Sequence, residues 1–320
     1  PEINYHKHYI NRYAFLFNEY IGNKYVYLPE LSLRYTGQKT FQFDNSHKTI
    51  ALYLGGENKE FRKYQKITMD TLIEFHRVCE KSNIEYELAY GSLLGAIRDN
   101  GQIPWDYDID VFVAFKDKER LIETLKKELD DKYYFYCPEV NQKCRHVIMR
   151  LAPKGYRSEA LHVDVFYYVG TPNSVEERKL HIEQIKRTAH TRYCKLVNCK
   201  EEAGGNVKKY IRLMLDKMKY SMKKIEDLKN EYEKLCQMYP IDKSDYLVSA
   251  DVFADWYEFP RILFEETELF HTVDGTFRIP KQYAELLTLV YKDYMNIPDL
   301  DTRIREVMTH FNYLKFMENA

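Results

Sequence analysis

Apolar residues along this chain recur in two alternating periods. Over residues 66–82, Ile67, Met69, Leu72, Ile73, Phe75, Val78 and Cys79 mostly follow three- and four-residue spacing, which predicts an amphipathic helix. Residues 85–90 then read as a short strand, 92–98 as a helix ending near Asn100-Gly101, 108–115 as a strand and 116–130 as a helix. Further strands are predicted over 146–151 and 161–169. Helices and strands that interleave in this way imply an α/β (α+β) core over residues 66–170.

The flanks differ in texture. Residues 1–65 carry β-prone stretches at 24–28, 40–43 and 49–54 between turn residues Gly37, Asn45 and Gly55-Gly56, which predicts an N-terminal strand-and-loop layer. Residues 171–256 are charged and helical in pattern, a helical insertion whose lysines read as a solvated face. Residues 257–320 alternate short aromatic segments with Pro260, Pro280 and Pro298, end in a helix over 302–318, and are expected to pack on the core.

Composition narrows the partners. The 320 residues hold 48 Lys plus Arg against 49 Asp plus Glu, a net charge of −1, so nothing favours a polyanion and nucleic acid is disfavoured as a ligand. The six cysteines form no CxxC pair and read as reduced, buried, small apolar residues. No apolar stretch approaches the roughly 18 residues of a membrane span, and no signal-peptide pattern opens the chain. It begins at Pro1 rather than Met, as a piece of a longer protein would.

Candidate chemistry concentrates in YGSLLGAIRDNGQIPWDYDIDV, residues 90–111. Gly91-Ser92 falls where a strand gives way to a helix, so backbone N–H groups and the helix dipole could meet a phosphate there. Asp106, Asp108 and Asp110 alternate, and period-two side chains would put Asp108 and Asp110 on one strand face. Two such carboxylates repel unless a cation lies between them, and hard oxygen ligands suit Mg²⁺ or Mn²⁺. Asp164, in LHVDVF over 161–166, is an acid in an apolar strand and calls for a partner. The spacing leaves open whether its strand lies beside the first. Arg98 and Arg150 are candidate diphosphate contacts. Trp105 could stack on a donor base or pin the Ile103-Pro104 turn, and Asp106 and His162 read as supporting groups around the three acids.

The 90–111 segment resembles the LicD family signature, approximately GTLLGAxRxxGxIPWDDDIDV, and HVDVF resembles that family's later segment. The closing YKDYMNIP, residues 291–298, is similar to its YGxYMxxP. The likeness covers 66–170 well and 257–300 loosely. It implies a nucleotidyltransferase-type mixed sheet flanked by helices. It also implies transfer of a phospho-alcohol, phosphocholine or ribitol phosphate, from a CDP-linked donor to a glycan or glycolipid hydroxyl, with CMP leaving. Asp108 and Asp110 then correspond to the metal-binding pair, and Asp164 to a third acid that can hold a metal and help activate the attacking hydroxyl. Gly91, Ser92, Arg98, Arg150 and Trp105 become donor-binding candidates. Two positions depart from the pattern: Tyr107 replaces an Asp and Lys292 a Gly. A nucleotidyltransferase that consumes an NTP, or a non-catalytic binding protein, would retain much of the same outline. The expected location is the cytoplasm, at the inner membrane face, or the Golgi lumen for a piece of a eukaryotic protein.

Overall fold

The computed structural model describes residues 59–156, 161–203, 205–251, 257–299 and Arg303. The β-prone stretches expected before residue 59 and, apart from Arg303, the helix expected over 302–318 lie outside the described residues.

The first helix, α1 (Lys59–Lys81), buries Leu72, Phe75, Val78 and Cys79, the stripe that its periodicity predicts. Strand β1 (Glu87–Leu88) is shorter than expected. Tyr90 turns the chain at φ 41° into α2 (Tyr90–Leu94), and a π-helical turn, Gly95–Asp99, continues it to Asn100 at φ 56°. Next come β2 (Ile109–Ala114), a 3₁₀ turn at Phe115–Asp117 and α3 (Lys118–Glu128). Strand β3 (Tyr133–Tyr136) has no counterpart in the sequence reading, because its four residues are uniformly half-buried aromatics without alternation. Strand β4 (Met149–Pro153) starts later than expected, leaving His146 in the preceding loop, and β5 (Val163–Gly170) follows.

The predicted helical insertion forms α4 (Val175–Leu196), α5 (Cys199–Ala203), α6 (Val207–Lys219) and α7 (Ile225–Gln237). It is not purely helical: β6 (Tyr246–Ser249) returns the chain to the sheet. There follow β7 (Phe259–Pro260), a two-stranded sheet of β8 (Thr267–His271) and β9 (Thr276–Pro280), and α8 (Tyr283–Tyr291). At the end of α8, Lys292 adopts φ 63°, a conformation that suits the glycine found there in the pattern it resembles.

The main sheet runs β1-β2-β5-β4-β3, with β6 and then β7 added beside β5. β2 and β5 are parallel; the other pairings are antiparallel. Along one edge of β5, its first residues pair with β4 and its last with β6, while β2 lines the other edge. All eight of its residues are buried, as a central strand requires. α1 and α7 pack on this sheet, and α8 on α2. All six cysteines are free and buried, as expected.

Glu87 is an exception within this core. It is 2 % exposed, and burial together with Glu85 pushes its carboxyl up to about 8 from 4.5. The folded state therefore keeps a proton that the unfolded chain has released, so stability falls as pH rises from 4.5 through 8. Glu87→Gln should flatten that slope and raise stability at pH 8 by about 1–3 kcal/mol, the cost of a buried group left without partners. Urea unfolding of both proteins at pH 5 and pH 8.5 measures this; equal slopes would rule it out.

Candidate active site

The loop between the π turn and β2 is held by polar contacts rather than by regular structure. Gln65 of α1 donates through Nε2 to Ile103 O (3.0 Å) and Asp106 O (2.6 Å), while Gln102 N–H donates to Asp274 Oδ2 (2.7 Å). The loop also needs Gly95, since a Cβ there would stand 2.6 Å from Gly101 O and 2.9 Å from Ile103 N. Held in this way, the loop delivers Asp106, Asp108 and Asp110 to one spot. Asp108 precedes β2, and Asp110 is its second residue.

Asp110 N–H donates to Ser92 Oγ at 2.8 Å, so the serine anchors the strand that carries the acids. The N–H groups of Ser92 and Leu93 are both spent on Ala89 O, at 2.9 and 3.1 Å, and the helix they open is five residues long. The junction is therefore more closed toward a phosphate than its sequence suggests. Gly91 sits against the acids: a Cβ there would lie 3.0 Å from Asp106 Oδ2.

The adjacency that spacing left open is present. Asp110 and Asp164 are direct register partners across the parallel β2–β5 pair, on strands about 4.8 Å apart. Arg150 on β4 is the partner of Asp164 from the other side, and its Nε donates to Asp164 Oδ1 at 2.8 Å. His162 Nε2 lies 3.3 Å from Asp164 Oδ2.

These surroundings divide the acids electrostatically. Burial raises Asp110 well above the usual carboxylate range, and Asp108 and Asp164 raise it further. Asp106 is raised well above that range by burial and by the neighbouring Asp108. Asp164 also suffers desolvation, but Arg150 and His162 outweigh it and hold the carboxyl well below its usual range. One acid is thus paired with a guanidinium, and a cluster of acids is not.

A cavity of about 460 Å³ opens beside Asp164, and Asp106, Asp108 and Asp110 are not in its lining. Arg150, Asp164, His146 and Asp251 supply its polar wall, and Tyr90, Phe166, Tyr257 and Tyr291 its aromatic one. Burial and the nearby Arg150 and Arg145 keep His146 neutral, well below the usual imidazole range. Asp251 arrives because β6 runs antiparallel to β5: Ser249 faces Tyr168, Ala250 N–H donates to Tyr167 O, and the next residue turns back toward Asp164.

The other candidates lie elsewhere. Arg98 pairs with Asp99 at 2.8 Å and stacks over Trp105 at 5.3 Å, with Arg303 over the same ring at 5.2 Å. Trp105 is 6 % exposed, and neither it nor Arg98 lines the cavity. Both pin the loop. Gln65, Asp251 and Tyr257 were not legible from sequence, and Tyr291 only as the first residue of the YKDYMNIP segment. The one local cue for Asp251 is that an acid directly follows an apolar run.

Among the described residues, no group of three or more His, Cys, Asp or Glu is gathered tightly enough to hold a metal ion as the side chains lie. The donor set nonetheless fits a hard divalent cation. Asp106, Asp108 and Asp110 are carboxylates whose mutual repulsion a cation would relieve. Asp164 is already engaged by Arg150.

Comparison with known proteins follows the same outline. Residues 83–203 match the family model described as LicD/FKTN/FKRP, nucleotidyltransferase domain. The chain is 29 % identical over 261 residues to the Lipopolysaccharide cholinephosphotransferase LicD of Haemophilus influenzae, covering 74 % of this chain and 92 % of that protein. It is 30 % identical over 122 residues to an uncharacterized protein of Rickettsia typhi, covering 36 % of each. The stretch from Asp106 through Asp164, with Arg150 between, falls inside the matched domain.

Proposed function

Because residues 83–203 match the LicD/FKTN/FKRP nucleotidyltransferase domain, we propose that this chain transfers a phospho-alcohol from a CDP-linked donor to a hydroxyl of a glycan or glycolipid, releasing CMP. The observation that carries this reading is the Asp110–Asp164 register pair, with Arg150 on the far side of Asp164, and with Asp164 and Arg150 both in the wall of one cavity. Phosphoryl transfer asks a protein chiefly to position reactants and to neutralise charge, and this wall offers both signs of charge within one hydrogen-bonded group.

A Mg²⁺ or Mn²⁺ ion would be held by Asp108 and Asp110, with Asp106 beside them, and would supply charge neutralisation at the donor diphosphate. Arg150 adds a guanidinium at the cavity wall. Asp164, kept anionic, is a hydrogen-bond acceptor that orients the attacking hydroxyl rather than a strong base. The acceptor oxygen forms a new bond to the donor phosphorus as the bond to CMP breaks, and the hydroxyl's proton is lost to water.

The alcohol is best read as choline. The Haemophilus relative is named a cholinephosphotransferase. Aromatic faces beside a carboxylate suit a quaternary ammonium, and the cavity supplies Tyr90, Tyr257 and Tyr291 together with Asp251. A ribitol chain would ask for more hydrogen-bonding partners.

Incubation with CDP-choline, Mg²⁺ and a lipopolysaccharide or oligosaccharide acceptor should release CMP and add one phosphocholine to the glycan, read by mass spectrometry of both products. CDP-ribitol should react at least about tenfold more slowly. Pyrophosphate release from an NTP, with the nucleotide left on the acceptor, would replace this reading with the nucleotidyltransferase alternative.

A further inference from the structure

Helix α6 carries its apolar residues on the wrong side for a globular protein. Its sequence, VKKYIRLMLDKMK, places Val207, Tyr210, Ile211, Met214, Leu215 and Met218 at the spacing of one helical face. That face points into solvent: Val207 is 68 % exposed, Ile211 52 %, Leu215 61 % and Met218 66 %, and no residue of the helix is buried. The stripe ends near Met222, which is 93 % exposed.

The helix is attached by its other side. Leu213 and Tyr220 pack on Tyr193, Cys194, Val197 and Cys199. Lys217 Nζ donates to Val197 O (3.0 Å), and Lys195 Nζ donates to Tyr220 O (3.0 Å) and Ser221 O (2.9 Å). Asn206 caps the N-terminus by accepting from Lys209 N–H at 3.0 Å. A helix fixed by these contacts holds its apolar stripe outward by construction. The stripe is contiguous, unlike the scattered apolar residues of ordinary surfaces, and such patches mark binding faces.

Charge selects the occupant. The helix carries Lys208, Lys209, Arg212, Lys217 and Lys219 against the single acid Asp216. At about 100° per residue, Lys208, Arg212 and Lys219 line one border of the apolar stripe. An apolar face bordered by lysine and arginine is the arrangement of a helix that lies in a membrane interface, with its side chains in the acyl boundary and its cations among anionic headgroups. A second copy of the chain fits worse, because two such helices would bring their basic borders together. Among the described residues, no helix is long and apolar enough to cross a membrane, so contact of this kind lies on the bilayer.

We propose that α6 is a membrane-docking helix that seats this protein on an anionic lipid surface. The solvated lysine face expected from sequence is then half of an amphipathic device whose other half is the outward apolar stripe. The proposal does not depend on which group the enzyme transfers, although a lipid-borne acceptor would be met at such a surface.

Vesicle sedimentation with the full chain tests it. Vesicles of phosphatidylcholine alone and of phosphatidylcholine with about one-third phosphatidylglycerol are compared at two salt concentrations. The chain should pellet with the anionic vesicles, more weakly at high salt. Lys208→Gln with Arg212→Gln should weaken that binding by about 30-fold. Ile211→Asn with Leu215→Asn should weaken it at least about tenfold, with circular dichroism unchanged and transfer to a short soluble acceptor retained. Failure to bind anionic vesicles, binding indifferent to these variants, or concentration-dependent self-association abolished by Ile211→Asn with Leu215→Asn would each overturn the proposal, the last in favour of a dimer.

Discussion

Asp110→Asn should lower transfer by at least about 10³-fold, the scale on which loss of a charge-stabilising group acts in phosphoryl transfer, without loss of fold. Asp110 stands at the centre of the site: its backbone N–H is fixed by Ser92 Oγ, its register partner is Asp164, and Asp108 lies two residues before it. Its carboxyl is buried among like charges, which raises its proton affinity and makes the ionised form costly. Asparagine keeps the shape and removes that cost. The melting temperature in the absence of divalent cation should therefore stay level or rise while activity collapses. The two readouts together separate a functional acid from a structural one. A variant within tenfold of the parent at saturating Mg²⁺ would remove Asp110 from the reaction, and a variant that fails to fold would assign it to structure instead.

Arg150→Gln should cost about 3–5 kcal/mol of stability as well as activity, because it strips the main cation from a buried carboxylate. In the parent, Arg150 and His162 depress Asp164 below its unfolded value of 3.8. The stabilisation from that ion pair is thus present above pH 3.8 and is lost as the pH falls through the folded value. In the variant, burial acts on Asp164 with less compensation, so the penalty grows as the carboxyl ionises. The gap between parent and variant should be widest near neutral pH and narrow toward pH 4. Adding Asp164→Asn to Arg150→Gln should recover much of the stability and none of the transfer. A double-mutant cycle by urea unfolding at pH 7.5 and pH 4.5 reads the coupling directly. Additive losses in the cycle would mean that the pair is not the unit described here.

Much of the core could be read from spacing because local physics sets it. The three-to-four period of α1 and the apolar runs of β2 and β5 report burial through side chains that each element must hide. Loop chemistry was less legible. The strand expected over 85–90 shortens to Glu87–Leu88 because Tyr90 turns the backbone, and nothing in the residue type announces a left-handed tyrosine. The half-buried aromatics of β3 lack the alternation that would have identified them as a strand.

The site divides in the same way. Local sequence marks out the unusual acids: Asp106, Asp108 and Asp110 crowd together by chain connectivity, and Asp164 stands out in an apolar strand. Which groups meet was decided only by tertiary structure, because strand order and register depend on the sum of contacts across the sheet rather than on any one segment. The parallel pairing of β2 with β5 set Asp110 beside Asp164, the antiparallel β4 brought Arg150 to neutralise one of them, and β6 returned from the helical segment with Asp251. The direction in which α6 turns its apolar stripe was decided the same way, by Leu213 and Tyr220 packing on its opposite side. Periodicity reports that a helix has two faces, and only packing reports which of them is covered.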